Sequence, residues 1–193
     1  MTEMTPADII TFWFEDDRTI TREKWFKRDD AFDQTIRDRF GTLTDQAATG
    51  ALDHWAETPD GALALLIVLD QFPRNLHRGS ARAFASDAHA RAIARKAVLQ
   101  RGFDRGFSNP ERTFLYLPFE HSEDMTEQDI SVALFEGMRD DPLRRAPGSN
   151  IEYAWKHWIV VKRFGRFPHR NAALGRISTA DEEEYLAQPG AGF

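Results

Sequence analysis

Apolar residues recur at helical spacing from one end of this chain to the other, and this pattern constrains the fold most. Residues three and four positions apart share one face of an α-helix. A clear example in the first third is the stripe formed by Trp25, Phe32, Ile36, Phe40 and Leu43. No run that alternates apolar and polar residues is long enough to predict a β-strand. The sequence therefore predicts an all-α fold of about seven to nine helices, packed as antiparallel pairs.

Local signals predict where several helices begin. Thr5-Pro6 and Thr58-Pro59 each place a capping residue before a proline at the first helical position. The apolar run that follows the second start has the alanine and leucine content of a buried central helix. A capping box near the carboxyl end is predicted to pair Ser178 or Thr179 with Asp181 or Glu182.

Other signals predict where helices end. Pro73 is expected to end the central helix, and Pro118 to kink or stop the helix that contains it. Gly165 is a plausible C-cap for a helix whose predicted core stripe is Ile151, Ala154, Trp155, Trp158 and Ile159. The tryptophans of the chain are accordingly interpreted as core residues.

Composition narrows the class of protein. At 193 residues the chain fits one domain, residues 1–193, and its 15 Phe and 5 Trp predict an aromatic-rich core. With no cysteine there is no disulfide, thiolate ligand or cysteine nucleophile, which fits a reducing cytoplasm.

Three further observations favour a soluble cytoplasmic protein. The start at Met1 lacks the basic region and apolar stretch of a signal peptide. The longest apolar run, Ala62–Leu69, is too short to cross a membrane. A net charge of -6 argues against nucleic acid as the main partner, because phosphate binding needs a basic face.

One segment, Arg163–Asn171, stands out because it is strongly basic and contains no acid. We call it the cationic exit, since it follows the predicted helix that ends at Gly165. A similar Phe-Pro-Arg sequence occurs in Asp70–Asn75, again at the end of an apolar run. We expect the two segments to converge on one polar site, although their sequences do not establish a duplication.

The basic residues have two interpretations. In the first, carboxylates elsewhere in this acidic chain pair with them in a structural network, with candidates at Asp70, Glu120, Glu123 and Glu182–Glu184. In the second, they form an Arg-rich pocket for a small phosphorylated or carboxylated ligand, because the guanidinium fork suits both groups. The predicted ligand-binding residues are Arg74, Asn75, Arg78, Arg163, Arg166, His169, Arg170 and Asn171.

Candidates for chemistry beyond binding are weak. Glu120 and His121 follow Pro118 and are the best acid–base candidates, but their spacing matches no catalytic motif. The two-histidine helical motif of metal sites is absent, and so are glycine-rich phosphate loops and dinucleotide fingerprints. No metal or cofactor is predicted, and whether the protein is an enzyme stays open.

A second class of function remains open beside ligand binding. A helical-repeat protein can present a concave surface to a peptide, here an acidic segment or a carboxyl terminus. A closed site at the two Phe-Pro segments would favour the small ligand, and an open groove across several helices would favour the peptide.

Four ordered motifs give the chain a family resemblance. They are LDQFPRNLHRG at Leu69–Gly79, AFASD at Ala83–Asp87, FLYLPFEHSED at Phe114–Asp124 and RFGRFPHRNAALGRIST at Arg163–Thr179. Together they resemble the bacterial domain of unknown function 924 family over essentially the whole chain. The resemblance implies an all-helical fold similar to tetratricopeptide-type repeats. It implies no activity and no catalytic residues.

Overall fold

The computed structural model, which describes residues 4–192, contains eight α-helices of seven or more residues. They are α1 (Pro6–Phe14), α2 (Asp30–Ala48), α3 (Pro59–Leu66), α4 (Asp87–Ala94), α5 (Asn109–Glu120), α6 (Met125–Glu136), α7 (Asn150–Phe164) and α8 (Ala180–Leu186). The described residues contain no strand. The predicted all-α fold and number of helices are confirmed, whereas the tetratricopeptide-like arrangement stays a prediction.

Shorter helical segments connect these eight helices. Phe72–Leu76 and Pro142–Arg145 are short α-helices, and Pro168–Arg170 is a 3₁₀ turn in the cationic exit. Further 3₁₀ turns are Glu23–Trp25, Asp53–Glu57, Ala81–Phe84 and Phe103–Gly106. The prediction that the chain has no signal peptide rests partly on residues 1–3, which lie outside the described residues.

The chain divides into two compact units. The first runs to Arg78 and also includes Arg82–Pro118, and the second comprises Gly79–Ala81 and the chain from Phe119 onward. The prediction of one domain over residues 1–193 stays a prediction.

Aromatic rings fill the core of the first unit. Trp13 stacks on Trp25 with ring centroids 6.1 Å apart, and the ring of Phe114 meets Trp25 edge-on at 4.9 Å. The Trp25 indole N–H donates to the Trp13 carbonyl, so its polar atom is satisfied inside the core. The residues of Ala62–Leu69 are all buried, as expected for a central helix. The predicted aromatic-rich core is confirmed in this unit.

The predicted helix end at Pro73 is wrong, because this proline is accommodated within a continuous helical segment. A π-helical turn, Ile67–Gln71, follows α3 directly and leads into Phe72–Leu76, so the helix continues past Pro73. The wider turn relieves the crowding that a proline ring causes in a regular helix. Pro118 lies inside α5, which ends at Glu120, so it does not stop the helix, and the alternative that it kinks the helix stays a prediction.

The buried face of α7 in the second unit also differs from the prediction. Its buried residues are Ile151, Ala154, His157, Val160 and Val161. Trp155 and Ile159 are 40% and 55% exposed. The indole N–H groups of Trp155 and Trp158 donate to Glu136 and Asp129 of α6, at 2.8 Å and 2.7 Å. Placing these tryptophans in the core was therefore wrong.

Three predicted helix starts and one predicted helix end are confirmed. Thr5 forms a capping box with Asp8, and the Thr58 side chain accepts a hydrogen bond from Gly61. Of the alternatives at α8, the capping box pairs Thr179 with Glu182. Gly165 ends α7 with a φ of 70°, in the left-handed region where glycine is favoured.

Candidate functional site

A buried histidine lies at the centre of the candidate site in the second unit. His157 is 6% exposed, on the inward face of α7. Its Nδ1 atom lies 2.8 Å from the Tyr153 carbonyl oxygen, one helical turn earlier, and 3.3 Å from Glu120 Oε1. Because a carbonyl oxygen can only accept, the neutral imidazole donates from Nδ1 and keeps Nε2 as an acceptor.

The environment of His157 favours its neutral form. Burial lowers the pKa of His157 well below its ordinary value, and the positive charges of His121, Arg170 and His169 lower it further. A cation is therefore disfavoured at this imidazole at neutral pH. An anion at the same place would be stabilised by the same charges.

Three side chains contact the Phe167 ring, and together with His121 beside them they form what we call the histidine–arginine cluster. His157 and His169 lie with ring centroids 5.4 Å and 5.5 Å from that of Phe167. The Arg170 guanidinium carbon lies 4.5 Å above the same ring. His121 adjoins His157, with ring centroids 6.2 Å apart. Segments far apart in sequence thus meet around one apolar ring.

Glu123 holds the turn that carries Phe167. Its carboxylate accepts hydrogen bonds from the Phe167 backbone N–H at 2.8 Å and from two nitrogens of Arg176 at 2.7 Å and 2.9 Å. Arg176 also donates to the Phe167 carbonyl oxygen. Burial opposes ionisation of Glu123, but the hydrogen bonds from Arg176 and Phe167 outweigh it and lower its pKa. Phe167 is thereby fixed in position.

Arg166 points to a different carboxylate. Its Nε and Nη2 atoms donate to Glu182 at 2.6 Å and 2.7 Å, the bidentate geometry that suits arginine and carboxylate. The hydrogen bond from Arg166 is the main reason that the pKa of Glu182 falls to about 2. Asn171 donates to Glu182 and to Ser178 Oγ, and is buried. Arg166 and Asn171 are therefore engaged within the fold.

The remaining basic residue of the cationic exit lies at the protein surface. Arg163 is exposed, with its guanidinium carbon 4.6 Å from the centre of the Phe164 ring. Within residues 4–192 no carboxylate forms an ion pair with it. The ion-pair interpretation thus describes Arg166 and Arg176, with partners Glu182 and Glu123. Glu123 and the run that contains Glu182 were both among the carboxylates named from the sequence.

The other predicted binding residues lie in the first unit, each with carboxylate partners. Arg74 donates to both carboxylate oxygens of Asp87 at 2.9 Å and 3.0 Å and lies 3.3 Å from Asp70. Asn75 and Arg78 both donate to Asp33. Convergence of this segment with the cationic exit stays a prediction, as do the binding roles of all eight residues.

Of the two predicted acid–base residues, His121 belongs to the histidine–arginine cluster and Glu120 lies beside it. Glu120 is the last residue of α5 and is buried, with His157 as a neighbour, and His121 is half-buried. His157 was not among the residues predicted to bind a ligand, because the core face of α7 was placed on its tryptophans. A catalytic role for Glu120 or His121 stays a prediction.

Neither a candidate metal cluster nor a membrane-spanning helix occurs among the described residues. No group of three or more His, Cys, Asp or Glu side chains there has an arrangement that suits a metal ion. Likewise, no helix of residues 4–192 has the length and apolar character required to cross a bilayer.

The fold and site define a class: an all-helical protein whose second unit buries an imidazole among cationic side chains. Comparison with protein families matches residues 9–190 to the family described as "Bacterial protein of unknown function (DUF924)". The chain belongs to this family, as its four motifs indicated. A solved structure of a protein of unknown function from Agrobacterium tumefaciens is similar, with 41% identity and a TM-score of 0.84. The match covers 94% of this chain and 96% of that one. No curated protein matches.

Proposed function

We propose that this protein binds a small anionic ligand, with a phosphate or carboxylate group, at the histidine–arginine cluster of its second unit. The observation that supports this is the grouping of the Arg170 guanidinium and the His169 imidazole around the Phe167 ring, beside the buried His157. The positive charge of Arg170, and those of His121 and His169 when they are protonated, favour a negative charge beside them.

Charge balance among the neighbouring groups supports the same proposal. The region contains three positive charges, on Arg166, Arg170 and Arg176. Three negative charges, on Glu120, Glu123 and Glu182, balance them. A proton taken up by His121 or His169 therefore gives this region additional positive charge. Since histidine side chains ordinarily titrate just below neutral pH, binding should strengthen as the pH falls through that range.

The residues of the proposed site differ in their roles from the sequence prediction. His169 and Arg170 would contact the ligand, with His121 beside them. The neutral His157 Nε2 is an acceptor and would take a hydrogen bond from a protonated oxygen of the ligand. Arg166 and Asn171 would act only by holding Glu182 and the turn, because both already bind that carboxylate. Arg163, at the surface, would attract the ligand over a longer range.

The first test is a titration with inorganic phosphate, measured by calorimetry and by thermal stabilisation. We expect micromolar-to-millimolar affinity, and about a tenfold or greater loss in Arg170→Gln, because a hydrogen bond between charged groups contributes about 1.5–3 kcal/mol. His169→Gln should also weaken binding and reduce its pH dependence.

Arg145→Gln is the matched control. Arg145 is exposed in the same unit and is outside the cluster, so its replacement removes one positive charge without touching the site. The proposal fails if wild type binds none of phosphate, sulfate or citrate, or if Arg145→Gln weakens binding as much as Arg170→Gln. Binding of an acidic peptide without binding of phosphate would instead favour the peptide alternative.

A further inference from the structure

On its outer face α7 carries an exposed stripe that continues from one end of the helix to the other. Glu152, Trp155, Ile159 and Lys162 follow one another at intervals of three, four and three residues. That spacing places them along one line on a helix, as in the seam of a coiled coil. We refer to these four residues as the α7 stripe. It faces away from His157, so it is separate from the proposed anion site.

The centre of the α7 stripe is apolar and accessible. Ile159 is 55% exposed and Trp155 is 40% exposed. The Trp155 indole N–H is held by Glu136, and Trp158 packs beside it with ring centroids 5.6 Å apart. The exposed apolar surface is thus fixed before any contact forms, which lowers the entropy cost of association.

The two ends of the α7 stripe carry opposite charge. Glu152 lies in the first turn of α7 and accepts hydrogen bonds from the Gly148 backbone N–H and from Lys156. Lys162 lies in the last turn, with its ammonium nitrogen 5.9 Å from the centre of a Trp158 ring. Each charge is on the side that the helix dipole favours.

This order of charges makes the stripe complementary to itself. When two copies of α7 pack antiparallel about a twofold axis, Trp155 of each lies opposite Ile159 of the other. Glu152 of each then lies opposite Lys162 of the other. A twofold interface requires this property, because the same surface must serve both partners.

We propose that the α7 stripe is a dimer interface, occupied by the same stripe of a second copy of this chain. A single pair of helices buries less than the roughly 1,600 Å² of a standard interface. The dimer is therefore weak and reversible, and its dissociation constant lies in the micromolar range.

Sedimentation equilibrium on the whole protein tests the proposal. Wild type is expected to show a concentration-dependent monomer–dimer equilibrium. Ile159→Glu places a carboxylate against Trp155 of the second copy and should raise the dissociation constant by about tenfold or more. Leu99→Glu is the matched control, since Leu99 is 45% exposed in the first unit, and it should leave the equilibrium unchanged.

A charge exchange supplies an independent test of the antiparallel register. Lys162→Glu and Glu152→Lys should each weaken the dimer several-fold, and the double variant should restore it. Thermal melts establish that each variant is folded, because Glu152 also binds Gly148 within its own chain. A monomer at every concentration, an equal effect of Ile159→Glu and Leu99→Glu, or no restoration in the double variant would overturn the proposal.

Discussion

Replacing Arg74 with methionine is expected to lower the free energy of unfolding by about 3–5 kcal/mol, the usual cost of removing one partner from a buried ion pair. Arg74 lies between Asp70 and Asp87, and both of these carboxylates are buried. Methionine retains most of the side-chain volume but supplies no charge and no donor. The carboxylates would keep their burial and lose this cation.

Chemical denaturation of wild type and variant measures the change. Arg28→Met is the control, because it removes another aspartate-paired arginine from the same unit. Arg28 and its partner Asp30 are 73% and 78% exposed, so that replacement should cost less than about 1 kcal/mol. Equal losses for the two variants would show that the contact between Arg74 and the two aspartates does not stabilise the fold.

The ion pairs explain why the sequence predicted which residues are charged and paired better than it predicted which carboxylate pairs with which arginine. Arg78 pairs with Asp33, 45 positions earlier, and Arg176 pairs with Glu123, 53 positions earlier. The density of basic residues indicated that carboxylates must lie nearby. Which carboxylate meets which arginine depends on how helices pack, and no local pattern contains that information.

Helix starts were predictable because they depend on residues that are close together in the sequence. The capping of α3 by Thr58 and of α8 by Thr179 involves residues within three positions of each other. The central helix was also predictable, but its end was not. A proline usually ends a helix, but the π-helical turn that precedes Pro73 lets the helix continue, and no local sequence signal marks such a turn.

The inward face of α7 shows how a functional residue can be missed. Tryptophan suggested the core because it is large and apolar, yet its indole N–H allows it to lie at an edge, where Trp155 and Trp158 reach carboxylates. The true inward face is marked by smaller residues, Ala154 and Val161. His157 lies between them and was the available signal, because a polar residue on an apolar face needs an explanation.

His157 leads to the second large effect, which is a loss of stability in mild acid. The unfolded chain takes up a proton at His157 near its ordinary pKa of 6.5, whereas the folded protein resists it because burial lowers that pKa well below this value. The unfolded state therefore binds more protons below about pH 6.5, and this residue should remove up to about 1.4 kcal/mol of stability per pH unit.

The range between pH 6.5 and about pH 5 isolates the histidines, because Glu123, Glu182 and other carboxylates with a lowered pKa contribute their changes at lower pH. His157→Gln should remove most of the slope of unfolding free energy against pH in that range. Some slope should remain, because burial also lowers the pKa of His77. His54→Gln, at an exposed position, should keep the wild-type slope.

The same measurement connects stability to the proposed ligand. An anion held by Arg170 and His169 would offset the positive charge that acts on His157 and so raise its pKa towards the unfolded value. Saturating phosphate should therefore reduce the acid-side slope of wild type and have little influence on the slope of His157→Gln. If the wild-type slope is the same with and without phosphate, any bound anion lies away from His157. If His157→Gln does not change the slope, this imidazole accepts a proton in the folded protein.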